Sequence, residues 1–136
     1  MRAYNCYNEP MLTYIFALII LFIMLVAHIF GINGLYYHYP FYDIFMHVLG
    51  GAGIGLLLIA FIRSNFSNFA NILFLRRKVV LGVLVVGLMW ELFEMYFDIA
   101  GAPLWTTAYY IDTAKDLIND VIGASIVAWL IFRKKK

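Results

Sequence analysis

Charge is scarce in this chain, and cysteine almost missing. Only 13% of its 136 residues are charged, whereas 65% are hydrophobic and mean hydropathy is +0.87. A soluble domain of this length could not hide so much apolar surface, so lipid is the expected solvent. The single cysteine, Cys6, excludes an intramolecular disulfide and any cysteine-built metal cage. No internal repeat and no low-complexity linker divides the chain, which leaves room for one domain over residues 1–136. The first apolar run ends in His28-Ile29-Phe30-Gly31, which is not a small-x-small cleavage site, so it is read as a retained helix. No basic patch of the nucleic-acid kind is present; the tail Arg133 to Lys136 reads as a stop-transfer and lipid-phosphate anchor.

What is present is four apolar stretches, each near the roughly 20 residues that cross a bilayer. They run over about 11–30, 41–62, 79–99 and 113–132, with an interfacial helix over 66–75 as an alternative to an ordered loop. The expected fold is therefore all-α, an integral membrane bundle of four transmembrane helices. Nine of the ten basic residues fall at the amino terminus, the second connection and the carboxyl terminus; only Lys115 falls elsewhere. By the positive-inside rule both termini are cytoplasmic and the first and third connections are outside. The expected location is a bacterial-type inner membrane, crossed several times.

The acids are distributed the other way. Asp43, Glu91, Glu94, Asp98, Asp112, Asp116 and Asp120, seven of the eight, lie toward the outer ends of the second, third and fourth stretches, and all three histidines, His28, His38 and His47, fall on the same side of the membrane. Glu9 alone is on the cytoplasmic side. Asp43 and His47 are four apart and share a helix face. Glu91, Glu94 and Asp98 span an arc of roughly 60°, and Asp112, Asp116 and Asp120 one of roughly 80°. Each helix thus carries one acidic stripe, which must face inward or toward water rather than lipid. Glu91 and Asp120 are placed roughly 10 Å deeper than Asp98 and Asp112, giving a pit open outward. Glycines follow the stripes: Gly51-x-x-x-Gly55 after His47, and Gly123 after Asp120, spacings that bring helices close.

Two carboxylates 4 Å apart repel by roughly 4 kcal/mol at an effective dielectric of 20. With few basic partners in the sequence at that depth, either protons are retained or a cation is bound. Oxygen donors with an imidazole suit Mg²⁺, Mn²⁺, Fe²⁺ or Zn²⁺. The paired Glu-x-x-His of di-iron bundles is absent. The candidate metal ligands are His47, Glu91, Glu94, Asp116 and Asp120, with Asp43, Asp98 and Asp112 secondary. Asp112 has a competing role as the cap of the fourth helix, and Asp43 as a first-turn acid.

The ordered set Tyr42-Asp43-x-x-x-His47-x-x-Gly50-Gly51, Glu91-x-x-Glu94 and Asp112-Thr113-x-x-Asp116-x-x-x-Asp120-x-x-Gly123-Ala124 resembles the YjdF-type small bacterial inner-membrane proteins. More distantly it looks like the VanZ-like family. The likeness covers about residues 42–124; it departs at Met95, where the pattern tends to have Trp, and only one helix precedes the motifs. The resemblance implies a multi-span membrane protein with an envelope or glycopeptide-related role, and supplies no reaction. Three functions stay open: a divalent-metal site acting on a lipid-linked or envelope substrate, a proton or cation transport element, and a noncatalytic envelope protein with a structural polar network. The bilayer is the expected partner, and a second copy or another membrane protein is compatible with so few spans.

Overall fold

A computed structural model describes residues 8–39, 41–65, 72–97, 99 and 101–132. Four long helices dominate: α1 Asn8–Phe30, α3 Tyr42–Asn65, α4 Ile72–Phe97 and α5 Thr107–Ile131, with a short α2 Tyr36–His38 after α1. Among the described residues there is no strand. Two segments are apolar and long enough to cross a membrane by composition alone, Pro10–Leu35 and Tyr42–Asn65.

The helix boundaries differ from expectation where local signals compete with hydropathy. The third helix was expected from residue 79 but begins at Ile72, taking Arg76, Arg77 and Lys78 into its first turns. Residues 66–71 of the expected interfacial helix lie outside the described residues, and 72–75 belong to α4. The fourth helix starts six residues early, at Thr107, because Thr106 caps it: its hydroxyl accepts from the Tyr109 N–H at 3.2 Å. Asp112 is therefore not the cap, and is released for another partner.

α3 is the central helix, packing on α1 along one side and on α5 most extensively along the other; α4 closes against α5 and α3. An apolar core of Leu56, Ile59, Leu75, Val79, Val127, Ala128 and Phe132, joined by Ala17, fills the end nearer the basic residues. There Arg76 Nη2 donates to the Phe132 carbonyl at 3.3 Å and the Arg63 guanidinium lies over the Phe132 ring. The outer surface is apolar instead of polar: Phe16, Phe22, Leu25, Phe45, Phe61, Met89, Leu92 and Ile122 all face outward. This inversion of the soluble pattern suits a hydrocarbon surrounding.

One contact fixes how α3 and α5 cross. A Cβ built on Gly51 would lie 2.1 Å from the Asp120 carbonyl oxygen, and one on Gly123 would lie 2.1 Å from the Val48 carbonyl oxygen. The obstacles are backbone atoms, so no rotamer change relieves them. Glycine at both positions lets the two helices touch main chain to main chain. The crossing sits one turn from His47 on α3 and one turn from Asp120 on α5.

Candidate functional site

The crossing brings His47 into a ring of aspartates. His47 is 9% exposed, Asp116 3% and Asp120 7%. Its Nδ1 lies 3.3 Å from Asp120 Oδ1. On the opposite edge, Nε2 lies 3.7 Å from Asp43 Oδ1 and 3.8 Å from Asp116 Oδ1. When Nδ1–H donates to Asp120, the Nε2 lone pair is left aimed between the other two acids. The Asp120 carboxylate is accommodated on its far side by Gly87 of α4, where a Cβ would come within 2.5 Å of Oδ2.

A cation is already present. Lys115 Nζ lies 3.3 Å from Asp43 Oδ2 and 3.6 Å from Asp116 Oδ1, and makes its closest contact with Asp112. The shortage of basic partners expected from the sequence is thus corrected. Lys115 is three residues after Asp112, so the helix puts the two on one face, and the long lysine stem reaches round to Asp116. Its closeness in sequence to Asp112 is the signal that the sequence offers for this pairing.

The remaining acids occupy other positions. Glu91 is 6% exposed, and its Oε1 is buried without a hydrogen-bond partner. Thr113 is beside it, but the Thr113 hydroxyl is likewise unpartnered. Glu94 accepts a 2.8 Å hydrogen bond from Trp90 Nε1, one turn back on α4. Asp98 lies outside the described residues. Asn119, 8% exposed with an unpartnered Nδ2, is a buried polar neighbour on α5 that charge counting overlooks.

An aromatic and imidazole layer flanks the site. His28 Nδ1 and the Tyr36 hydroxyl are 2.8 Å apart, and the Trp90 ring meets His28 edge-on. Burial, reinforced by Asp43, pushes the Tyr36 phenol above its usual range, so it keeps its proton and can donate to His28. Tyr42, stacked edge-on against Tyr36, donates to the Ala27 carbonyl at 2.6 Å and ties α3 to α1. The kink at Gly34, with φ of 130°, turns the chain so that this layer forms.

Asp43, His47 and Asp116 offer ligand atoms that all lie within 4.8 Å of one another, and such a group could hold a metal ion. Ligand atoms bound at about 2.1 Å to one tetrahedral ion stand roughly 3.4 Å apart. The two imidazole–carboxylate separations, 3.7 and 3.8 Å, are within a few tenths of an ångström of that value. Of the residues singled out in the sequence, this group contains His47 and Asp116 and the secondary candidate Asp43; Asp120 supports the imidazole from behind. Glu91, Glu94 and Asp112 stand outside it.

The model of one family, described as "Predicted membrane protein (DUF2238)", matches residues 3–136. The chain belongs to this family. Membership agrees with the apolar exterior and makes a lipid bilayer the environment of the bundle. Comparison with curated proteins and with solved structures gives no match.

Proposed function

We propose that this membrane protein binds a divalent metal ion at Asp43, His47 and Asp116, in a site facing outward from a four-span bundle with cytoplasmic termini. Asp120 is the positioning partner that holds the imidazole by Nδ1. The observation that carries this reading is the two-sided environment of His47: one nitrogen backed by a carboxylate, the other facing two more. A carboxylate behind a metal-bound histidine sets its tautomer and raises its basicity. An ion with three protein ligands retains open positions, where it can polarise water or a phosphate oxygen. A lipid-linked or envelope phosphate is the substrate class that suits such a site at the outer leaflet. Four spans are supported by the lengths of α4 and α5, 26 and 25 residues, and by their apolar outer faces.

The test is metal content of detergent-purified protein after loading separately with Mn²⁺, Fe²⁺ and Zn²⁺. About one ion per chain is expected, falling to background in His47→Ala and Asp116→Ala. Wild-type protein free of stoichiometric metal under every loading condition ends this reading.

The second reading, a noncatalytic network that locks the helices, is favoured by Lys115, whose ammonium already bridges three carboxylates. Under it, substitutions at the site lower stability and metal addition changes nothing.

A further inference from the structure

The same ammonium that favours the second reading has a consequence for the first. Asp116 Oδ1 faces the imidazole and the ammonium at once, 3.8 Å from His47 Nε2 and 3.6 Å from Lys115 Nζ. It is buried, in a residue only 3% exposed, and has no hydrogen-bond partner. Asp43 divides its two oxygens, Oδ1 toward His47 and Oδ2 toward Lys115. Both acids of the metal group are therefore shared with Lys115. A dication about 2.1 Å from Asp116 Oδ1 would stand beside the ammonium, and like charges so close in a partly buried site repel strongly.

Resting on the metal reading above, we propose that Lys115 is a built-in competitor for the site: its ammonium and a divalent cation hold the Asp43–Asp116 seat in alternation. The lysine has somewhere to go. Its side chain is 35% exposed on a flexible four-carbon stem, and Asp112, its closest partner, stands outside the metal group at 25% exposure. On metal entry Lys115 gives up Asp43 and Asp116, keeps Asp112 and turns outward. Without metal, its single positive charge offsets part of the charge of the acids. Lys115 then sets a threshold for entry: ions that bind imidazole and carboxylate tightly displace it, and weakly bound ones do not.

The exchange is read on the intact wild-type chain in detergent with an amine-reactive label, quantified by mass spectrometry at Lys115 relative to Lys78 during a Zn²⁺ or Mn²⁺ titration. Lys115 labelling is expected to rise several-fold with the same midpoint as metal binding, while Lys78 labelling stays constant. In parallel, Lys115→Met, with Lys115→Gln as a second variant, is expected to bind the metal about tenfold more tightly or better. Metal held by the variants but never by wild type overturns the metal reading for the native protein, and the exchange with it. Wild-type metal binding with unchanged Lys115 labelling and unaltered variant affinity overturns the exchange and leaves the metal site standing. Failure of wild type and both variants to bind any metal overturns the metal reading, and the exchange with it.

Discussion

On one side of the Gly51–Gly123 crossing, α3 and α5 bury His47, Asp116, Asn119 and Asp120; on the other, the same helices bury Leu56, Ile59, Val127 and Ala128. The two halves share a backbone contact and differ in what they ask of it. The apolar half gains only packing, because lipid is as apolar as its leucines. The polar half gains charge pairing that lipid cannot supply, but only if its groups meet at the right depth and rotation. A membrane bundle can thus keep a forgiving end and a demanding end on one pair of helices, and the demanding end is where chemistry is to be sought.

The comparison breaks most severely at the crossing itself. Gly123→Val puts side-chain atoms into the Val48 carbonyl, and a loss of more than about 3 kcal/mol is expected, beyond ordinary overpacking because backbone cannot yield. Thermal unfolding in detergent should show this as loss of a folded population. Gly50→Ala, whose Cβ would meet only the flexible Met24 side chain at 3.3 Å, should unfold close to wild type. Equal losses at the two glycines would show that the crossing is not the pivot.

A smaller effect separates the halves. Lys115→Met leaves Asp43, Asp112 and Asp116 without their shared cation and should cost about 2 kcal/mol, discounted for the partial exposure of the lysine. Ile59→Ala, at a fully buried position of the apolar half, should cost a similar 2 kcal/mol or so through its cavity. The distinction lies in rescue. Added Mn²⁺ or Zn²⁺ should raise the melting temperature of the lysine variant well beyond the rise it gives Ile59→Ala, whose intact site binds the ion no more tightly than wild type. Equal rises in both, or none in either, would remove the electrostatic difference between the halves.

The smallest effect concerns the end of α5 that presents the site. Thr106→Ala deletes the cap hydroxyl and should cost about 1 kcal/mol. Hydrogen exchange should localise the change to the first turn, near Tyr109 and Tyr110, with the half below the crossing unaffected.

How much of this was legible beforehand follows from the range of each interaction. The helical stretches and the gathering of acids toward one end were readable, since hydropathy and spacing along one helix are local. Gly51 and Gly123 were also visible as small residues next to charged ones, but which carbonyls they approach was not. The early start of α5 was obscured because Ala100 to Asp112 looked like an aromatic-rich connection, while the Thr106 hydroxyl alone sufficed to begin the helix. Lys115 was hidden by its neighbours. On one helix it is simply a partner for Asp112; its reach to Asp43 depends on α3.

The order of residues, by itself, determined that lipid surrounds the chain, that it is helical, and which end of the bundle collects its carboxylates, because each of these is a sum over neighbours in sequence. Only the tertiary structure decided that His47 meets Asp120 with one nitrogen and Asp43 and Asp116 with the other, that Lys115 lies beside the same two acids, and that Glu91 and Glu94 fall outside the Asp43–His47–Asp116 group. Those outcomes turn on the rotation and depth at which two helices cross, and that is set by two glycines yielding to backbone from different parts of the chain.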